Sequence, residues 1–316
     1  MDKSAKIYVS GHSGLVGTAL VNELKSQGYS NIVVASHKEL DLMDLHAVEK
    51  FFDENRPEYV FHLAAKVGGI VGNKTYPADF LYENVLINTH VLAMAHKYEV
   101  KKLLNFGSVC IYPVKAEVPV REDSLLTGPL EYTNEAYAIA KMAGLMLAKK
   151  YKEQYGNNFI SVMPANLYGI NDNFHPTNSH VIPGMMRRFY ETKMRGESQM
   201  TIWGTGKPTR DFLYSADLAN GLVFLMDNYN ELEHINIGPG YETSIRELAE
   251  TMKEIVGFEG ELIFDTSKPD GTPRRYLDTS KMNAMGWQAK TRLKEGLTKT
   301  FEWFVQNYEM LKDKYK

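Results

Sequence analysis

The sequence predicts an α/β fold, in which a doubly wound parallel sheet is joined to a smaller α+β lobe. Short apolar runs alternate with amphipathic stretches over the first two-thirds of the 316 residues, and this alternation stops near Tyr168. Alternating strands and helices are typical of an open parallel sheet covered by helices on both faces. We therefore expect a main domain of residues 1–168 and about 217–238, and a smaller lobe of residues about 169–216 and 239–316.

The strands of the main domain are predicted from apolar runs that are short, rich in β-branched and aromatic residues, and free of polar alternation. Such runs indicate parallel strands that are buried on both faces. A sixth run, later in the chain, is expected to return to the same sheet. The six runs are residues 7–10, 32–35, 59–65, 103–107, 159–163 and 234–238.

The helices are predicted from apolar residues that recur with helical spacing. A further helix opens the smaller lobe after a loop rich in Asn, His and Pro, and beyond Ser244 the helical patterns are interrupted by a turn-rich segment, residues 265–273. We expect this lobe to lie over the carboxyl ends of the strands, where such sheets bind ligands. The predicted helices are residues 15–27, 45–55, 77–98, 134–155 and 181–193.

Composition argues against several classes of protein. Hydrophobic residues make up 44% and charged residues 24% of the chain, and the net charge of −3 gives no support for binding to nucleic acid or to a membrane surface. Cys110 is the only cysteine, which excludes an internal disulfide and fits a reducing compartment. No stretch of about 18 apolar residues and no apolar signal core is present, so we expect a cytoplasmic protein.

A glycine-rich turn follows the first strand and opens the first helix, with a G-x-x-G-x-x-G spacing. Glycines at such a position allow a tight turn and let the backbone approach a pyrophosphate, whose charge the helix N-terminus stabilises. The alternative is a turn with a structural role alone, but its place after an N-terminal strand favours a dinucleotide site. The predicted site comprises Gly11, His12, Ser13, Gly14, Leu15, Val16 and Gly17.

The residues after the second strand indicate which dinucleotide is bound. An NAD site normally has an acid there to hold the ribose 2′-hydroxyl, whereas this chain has His37 and Lys38 before its first acid, Glu39. These side chains can pair with a 2′-phosphate, so NADP(H) is the favoured cofactor; the alternative is that both are simply solvated. Asp41, next to Leu42, is expected to reach the adenine edge or to cap the following helix.

Tyr137 and Lys141 lie one turn apart on the same face of the helix predicted at 134–155. A nearby ammonium stabilises a phenolate, so we expect Lys141 to draw the pKa of Tyr137 down from about 10 toward neutral. Tyr137 is then a general acid for a carbonyl oxygen that receives hydride. Tyr-x-x-x-Lys alone is common in helices, but Ser108, after the fourth strand, adds a hydroxyl at the same sheet edge.

With these motifs the chain resembles the extended short-chain dehydrogenase/reductases and, within them, the GDP-L-fucose synthase family. The matching stretches cover nearly the whole length, and the His-Pro-x-Asn-Ser-His loop is highly specific to that family. The stretches are residues 64–70, 73–80, 108–113, 161–169, 172–183 and 268–275.

The resemblance implies a Rossmann-type main domain and a reaction in two stages. GDP-4-keto-6-deoxy-D-mannose is epimerised at C3 and C5, and NADPH then reduces the C4 ketone to give GDP-L-fucose. Cys110 is implied as the base and His180 as the acid on the opposite side, with His175 as a competing histidine. A thiol of pKa about 8.5 needs only a modest downward shift to act near pH 7.

The resemblance also implies ligand contacts and a homodimer that packs through helices 77–98 and 134–155. The GDP-sugar is expected to contact Arg188, Trp203, Arg210 and Asp278, with Arg187 as the alternative to Arg188. Many family members have arginines where this chain has Ser13 and His37, which leaves Lys38 and His37 to hold the 2′-phosphate. The cofactor is further expected to contact Ala64, Ala65, Phe106, Gly107, Ser108, Lys141, Pro164, Ala165, Asn166, Leu167 and His180.

Other functions on the same fold remain alternatives. A 4-epimerase or a C4 reductase acting on another nucleotide sugar would not need Cys110 and His180, and a 4,6-dehydratase would have Thr-Asp-Glu in place of residues 108–110. A non-catalytic dinucleotide sensor is the alternative outside enzymes. Such sensors typically lose the tyrosine or the lysine, and this chain has both.

Overall fold

The computed structural model describes residues 1–268 and 270–315 and confirms the predicted fold class. A six-stranded parallel sheet forms the centre, with the strand order β10-β5-β4-β3-β1-β2. The order reverses between β1 and β3, so the crevice at their carboxyl ends is where such sheets bind ligands. The strands are β1 (Ile7–Ser10), β2 (Ile32–Val33), β3 (Tyr59–His62), β4 (Lys102–Phe106), β5 (Phe159–Pro164) and β10 (Ile235–Ile237).

Three strands, β2, β3 and β10, are shorter than predicted. β2 ends at Val33, and β3 ends at His62 because the next two amides, of Leu63 and Ala64, donate to the Ser10 hydroxyl at 3.2 Å instead of continuing the ladder. The ends of β2 and β3 therefore open into loops at the carboxyl edge of the sheet.

Helices cover both faces of the sheet. The five predicted helices correspond to α1, α2, α4, α5 and α6, and their boundaries agree to within one residue at each end. The helices α3 and α7 were not predicted. The helices are α1 (Leu15–Ser26), α2 (Leu45–Asn55), α3 (Ile70–Thr75), α4 (Pro77–Lys97), α5 (Glu135–Tyr155), α6 (Val181–Met194), α7 (Ser215–Asn228), α8 (Ile245–Val256), α9 (Ser280–Ala284), α10 (Leu293–Gln306) and α11 (Tyr308–Lys314).

The remaining strands belong to small sheets beside the main one. β6 (Asn166–Tyr168) pairs with β9 (Phe212–Tyr214), and β7 (Gln199–Trp203) pairs with β12 (Glu261–Asp265). The third sheet has the order β11-β8-β13, formed by Thr243–Ser244, Thr209–Arg210 and Arg274–Arg275. Pro269, within the motif at 268–275, lies outside the described residues.

Two apolar clusters pack on the main sheet, and a third fills the space between α6, α8 and α10. That third cluster includes Phe174, Met186, Met252 and Phe304, all fully buried. We propose the predicted division into a main domain (1–168 and about 217–238) and a smaller lobe (about 169–216 and 239–316), because this cluster gives the lobe a core of its own.

A buried polar chain connects the sheet to α4 and α5. The Ser10 hydroxyl lies 2.9 Å from His62 Nδ1, His62 Nε2 lies 3.1 Å from Asn88 Oδ1, and Asn88 Nδ2 donates to the Ala140 carbonyl at 3.1 Å. Since Asn88 Oδ1 can only accept, His62 Nε2 carries the proton and Nδ1 accepts from Ser10. Ala140 precedes Lys141, so the chain fixes the predicted catalytic helix against β1 and β3.

No helix among the described residues is long and apolar enough to cross a membrane.

Replacing His62 with Gln should reduce the loss of stability on acidification. Burial lowers the pKa of His62 from 6.5 to about 3. Below pH 6.5 the unfolded chain therefore binds a proton that the folded chain does not, and stability falls as the pH falls. Between about pH 7.5 and about pH 5, His62→Gln should lose about 2 kcal/mol less unfolding free energy than the parent protein.

Urea unfolding at the two pH values measures this difference. His46→Gln, at an exposed position of α2, is the matched control and should keep the parent's pH dependence. An unchanged acid sensitivity in His62→Gln would show that His62 titrates normally in the fold.

Candidate active site

A cleft of about 870 Å³ opens at the carboxyl ends of β1, β3, β4 and β5. It brings together most of the residues predicted for the cofactor and for catalysis. The predicted residues that line it are Gly11, Ser13, Gly14, Leu15, Val16, Gly17, Ala64, Ala65, Phe106, Gly107, Ser108, Tyr137, Lys141, Pro164, Ala165, Asn166, Leu167 and His180.

The glycine turn has the shape that a dinucleotide requires. Gly11 has a φ of +72°, and a Cβ there would lie 3.0 Å from the backbone of Ala64. A Cβ on Gly17 would lie 2.1 Å from the Gly11 carbonyl, so α1 packs directly on the turn only because this residue is glycine. Gly14 caps α1 without a side chain, which leaves the first amides of the helix open toward the cleft.

The predicted 2′-phosphate residues lie outside the cleft wall. His37 and Lys38 are exposed after β2, while the Glu39 carboxylate accepts hydrogen bonds from the amide and hydroxyl of Ser36 at 2.8 and 2.7 Å. Asp41 accepts from the Met43 amide at 2.9 Å. The cap of α2 is Asp44, which accepts from the amides of His46 and Ala47, so the capping alternative for Asp41 is wrong.

Two other predicted cofactor residues, His12 and Leu42, do not line the cleft. The Leu42 carbonyl lies 3.0 Å from the Nδ1 atom of His90, and the buried Nδ1 of His12 has no hydrogen-bond partner among the described residues. Their predicted contacts with the cofactor stay predictions.

The catalytic group predicted from the sequence is assembled around the end of β4. Lys141 is buried, and its Nζ donates to the Phe106 carbonyl at 2.8 Å and lies 5.9 Å from the centroid of the Tyr137 ring. Ser108 precedes a short 3₁₀ helix, Val109–Ile111, and its hydroxyl lies 3.4 Å from the Cys110 amide nitrogen. Cys110 is a half-buried residue next to this turn; it does not line the cleft itself, but its thiol interacts electrostatically with Lys141 and Tyr137, which do.

The sequence predicted lowered pKa values for Tyr137 and Cys110. This prediction is wrong, because the structure raises both values. Burial raises the pKa of Tyr137, and it raises the pKa of Cys110 to about 11 against the opposing effects of Ser108, Lys141 and Arg275. Burial also lowers the pKa of Lys141 to about 8. The cause is the loss of hydration on burial, which disfavours the charged form of each group; for Cys110 and Lys141 it outweighs the neighbouring charges, and for Tyr137 the nearby Cys110 acts in the same direction.

The structure distinguishes the two candidate histidines. His175 Nδ1 accepts from the amides of Thr177 and Asn178 at 3.1 and 3.0 Å, and its ring packs on Tyr315, so it has a structural role in the loop. His180 lines the cleft at the N-terminus of α6. Although its side chain is accessible within the cleft, the surrounding protein lowers its pKa by restricting hydration.

A second cavity of about 250 Å³ adjoins the cleft and shares Asn166 and Val181 with it. Two of the predicted substrate residues line it, Trp203 and Arg210. Trp203 is 67% exposed, and the Arg210 Nη1 donates to the carbonyls of Thr209 and Thr272, both at 2.7 Å. Among the described residues, Arg210 forms no ion pair, so its charge is available to an anion.

The other predicted substrate residues, Arg188 and Asp278, line neither cavity. Arg187 is buried and bonded to Glu191 at 2.7 Å and to the Phe174 carbonyl at 2.9 Å, so it is the structural member of the arginine pair. Arg188 is exposed and reaches only the Thr201 carbonyl at 3.4 Å. Asp278 accepts from the Ser280 amide at 2.8 Å.

Several residues that line the cleft were not predicted as site residues, among them Asn171, Asp172, Lys314 and Tyr315. Asn171 Nδ2 donates to the Ser13 carbonyl at 2.9 Å and connects the smaller lobe to the glycine turn. Asp172 is only 6% exposed, burial raises its pKa to about 7, and its Oδ2 has no partner among the described residues. No pattern in the sequence indicates that α11 returns to the cleft.

Comparison with known proteins agrees with this geometry. Residues 7–238 match the model of the NAD dependent epimerase/dehydratase family. GDP-L-fucose synthase 1 of Arabidopsis thaliana is 55% identical over 306 residues, which cover 97% of this chain and 95% of that protein.

Two solved structures are similar over nearly the whole chain. A GDP-L-fucose synthetase from Naegleria fowleri bound to NADP is 34% identical, with a TM-score of 0.91 and coverage of 98% of this chain and 96% of that chain. A GDP-mannoheptose C4 reductase from Campylobacter jejuni with NADP bound is 39% identical, with a TM-score of 0.88 and coverage of 96% and 99%.

Replacing Lys38 with Ala should weaken NADPH binding and leave NADH binding unchanged, because the 2′-phosphate is the only group that distinguishes the two ligands. Since Lys38 is exposed, one screened contact of about 1 kcal/mol corresponds to roughly a fivefold rise in the NADPH Kd. Fluorescence titration with both dinucleotides measures the change. Lys50→Ala, at a surface position of α2, is the control, and an equal effect on NADH would exclude a 2′-phosphate contact.

Proposed function

Because the chain belongs to the NAD dependent epimerase/dehydratase family and, within it, to the GDP-L-fucose synthases, we propose that it converts GDP-4-keto-6-deoxy-D-mannose to GDP-L-fucose. The observation that carries the proposal is that Ser108, Tyr137, Lys141 and His180 line one cleft, with the Cys110 thiol directly behind its wall, next to Ser108 and within the electrostatic influence of Lys141. A simple reductase needs only Ser108, Tyr137 and Lys141. Cys110 and His180 add a base and an acid for proton transfer at carbon.

The cleft is suited to hold NADP(H). The amides at the start of α1 and the close approach of Gly11 to Ala64 fit a pyrophosphate. Bound NADPH supplies the hydride that reduces C4. Lys141, buried at the base of the cleft, is placed to hold the nicotinamide ribose.

Epimerisation depends on proton transfer at carbons next to the ketone. The Cys110 thiolate takes the proton from C3 or C5, and the electron pair moves onto the C4 oxygen, where the hydroxyls of Ser108 and Tyr137 donate hydrogen bonds. The His180 imidazolium then returns a proton to the same carbon from the opposite face. Each cycle leaves a thiol and a neutral imidazole, which must exchange a proton before the next.

The resting protonation state follows from burial. With the pKa of Cys110 raised to about 11 and that of His180 lowered, the protein groups hold a thiol and a neutral imidazole at neutral pH. A thiolate with an imidazolium contains the same number of protons. The reactive pair is therefore a tautomer of the resting pair and needs no proton from the solvent.

Reduction of the C4 ketone depends on Tyr137 and Lys141. Tyr137 gives its proton to the C4 oxygen as hydride arrives, and the Lys141 ammonium stabilises the phenolate that forms. Because burial raises the pKa of Tyr137, the neutral phenol is the resting form and is ready to act as the acid. Lys141 is charged at neutral pH and loses its proton above about pH 8.

The second cavity is the proposed site of the GDP moiety. Arg210 is held by the carbonyls of Thr209 and Thr272 with its charge unpaired, which suits a diphosphate. The exposed Trp203 ring offers a face for the guanine base. Since Asn166 and Val181 border both cavities, the sugar is placed between the diphosphate site and the catalytic group.

The second candidate function is a C4 reductase for another GDP-sugar, favoured by the 39% identity to the GDP-mannoheptose C4 reductase. Cys110 and His180 favour the epimerase-reductase, because hydride transfer alone uses neither group. A non-catalytic sensor is disfavoured by the intact Ser108, Tyr137 and Lys141 at the cleft.

We also propose a cytoplasmic homodimer. The long helices α4 and α5 pack on each other and expose Tyr82 and Ile139, which are 66% and 43% accessible. Two such helix pairs form the four-helix interface that the sequence resemblance implies.

Separate variants should remove the two stages of the reaction. With the ketosugar and NADPH in D₂O, Cys110→Ser should incorporate no deuterium at C3 or C5, because an alcohol is too weakly acidic to replace the thiolate. Tyr137→Phe should bind NADPH normally but slow its oxidation by about 10²- to 10⁴-fold, because the general acid is lost. Product analysis by NMR and NADPH absorbance follow the two stages.

Tyr132→Phe, at an exposed position, is the control for the phenol deletion. NADPH oxidation by the parent protein without deuterium uptake would support the plain C4 reductase. Neither deuterium uptake nor oxidation in folded protein would support the sensor.

The two stages should also respond differently to pH. Between about pH 6.5 and about pH 8 the rate of deuterium incorporation should be level, because the reactive Cys110–His180 tautomer is then a constant fraction of the total. Single-turnover NADPH oxidation should decline above about pH 8, where Lys141 loses its charge. A deuterium rate that rises tenfold per pH unit would show that His180 is not the paired acid.

A further inference from the structure

A segment of the smaller lobe, residues 270–278, runs from the second cavity to the catalytic turn. Asp270 accepts from the Thr205 amide at 2.8 Å at one end, and the Asp278 amide donates to the Val120 carbonyl at 2.9 Å at the other. Between them β13 pairs with β8, the strand that carries Arg210. We call residues 270–278 the connecting segment.

Arg275, in the middle of the connecting segment, points at the turn that bears Cys110. Its Nη2 donates to the carbonyls of Val109 and Tyr112, both at 2.9 Å, and these two residues flank Cys110 and Ile111. The guanidinium also acts electrostatically on the Cys110 thiol and favours its ionised form. One side chain therefore both fixes the backbone around the thiol and places a positive charge beside it.

The neighbouring arginine behaves differently. Arg274 is exposed and donates to both carboxylate oxygens of Glu242, from Nη2 to Oε1 at 2.7 Å and from Nε to Oε2 at 3.0 Å. Arg275 is half-buried and forms no ion pair among the described residues, and its nearest acidic influences, Asp211 and Glu131, act only at longer range. The Arg275 guanidinium therefore contacts the turn that carries Cys110, and its charge acts on the thiol.

We propose that Arg275 is a positioning residue for Cys110, whose guanidinium holds the turn that carries the thiol and stabilises the thiolate. The groups that face the thiol are the Ser108 hydroxyl from the same turn, Lys141 and Tyr137 from α5, and Arg275 from β13. Lys141 is needed for the phenol and the ribose, and its own pKa is lowered by burial. Arg275 is the cation of this set to which the proposed mechanism assigns no contact with the cofactor or with Tyr137.

The same segment connects the thiol to the diphosphate site. The Arg210 Nη1 donates to the Thr272 carbonyl at 2.7 Å, three residues before Arg275. Arg210 and Arg275 are paired residues on the neighbouring strands β8 and β13, so the proposed anion site lies one strand away from the side chain that contacts the Cys110 turn.

The test uses the fact that Cys110 is the only cysteine, so alkylation by iodoacetamide reports on this thiol alone. Arg275→Gln keeps hydrogen-bond donors for the two carbonyls and removes the charge. Its alkylation rate at about pH 8 should be between about threefold and about tenfold lower than the parent's, with the pH profile displaced to higher pH. Mass spectrometry over a range of pH values gives the profile.

Two further variants make the result decisive. Arg275→Lys restores the charge and should return the profile close to that of the parent, and Arg274→Met, next in the strand, should leave it unchanged. Coincident profiles for Arg275→Gln and the parent would overturn the proposal, as would an equal displacement in Arg275→Lys.

The role of Arg275 in epimerisation rests on the proposed function, whereas the alkylation assay needs no substrate. Arg275→Gln should also lower deuterium incorporation at C3 and C5 by at least the factor seen in alkylation. A displaced alkylation profile in a protein that never incorporates deuterium would refute the proposed function and leave the effect on the thiol standing.

Discussion

The hydrogen bond from Lys141 to the Phe106 carbonyl is the contact on which the site depends. It joins α5 to the end of β4, and so joins the helix that carries Tyr137 to the turn that carries Ser108 and Cys110. The ammonium is held in a buried position because the chain from Ser10 through His62 and Asn88 fixes the preceding turn of α5. Every catalytic distance at this end of the cleft follows from that arrangement.

Burial makes this arrangement chemically useful as well as rigid. Dehydration disfavours an isolated charge, so the phenol, the thiol and the imidazole rest in neutral forms. Charge is then created only as the reaction proceeds, when ligand atoms are present to share it. A chain of net charge −3 thus handles anionic ligands with a few placed cations, Lys141, Arg210 and Lys314 among them.

The main sheet was predictable because four of its strands, β1, β4, β5 and β10, are buried along their whole length and so appear in the sequence as short, mainly apolar runs, whereas β2 at the edge is only partly buried and its end was mispredicted. The glycine turn was predictable because Gly11 and Gly17 meet steric limits that no other residue satisfies. The signs of the pKa shifts were not predictable, since helical spacing places Lys141 near Tyr137 but says nothing of the water removed from both. The approach of Lys314 to the cleft, and of Arg275 to the turn that carries Cys110, depends on long-range packing, which local patterns do not encode.

The contact of Asn171 with the glycine turn has a kinetic consequence. Its side chain bonds the Ser13 carbonyl and the Thr18 hydroxyl, at 2.9 and 3.0 Å, from a loop that belongs to the smaller lobe. Any opening of that lobe must break both bonds and release the mouth of the dinucleotide groove at the same moment. Because the proposed GDP site belongs to the same lobe, such a movement would free the oxidised nucleotide and the sugar product together.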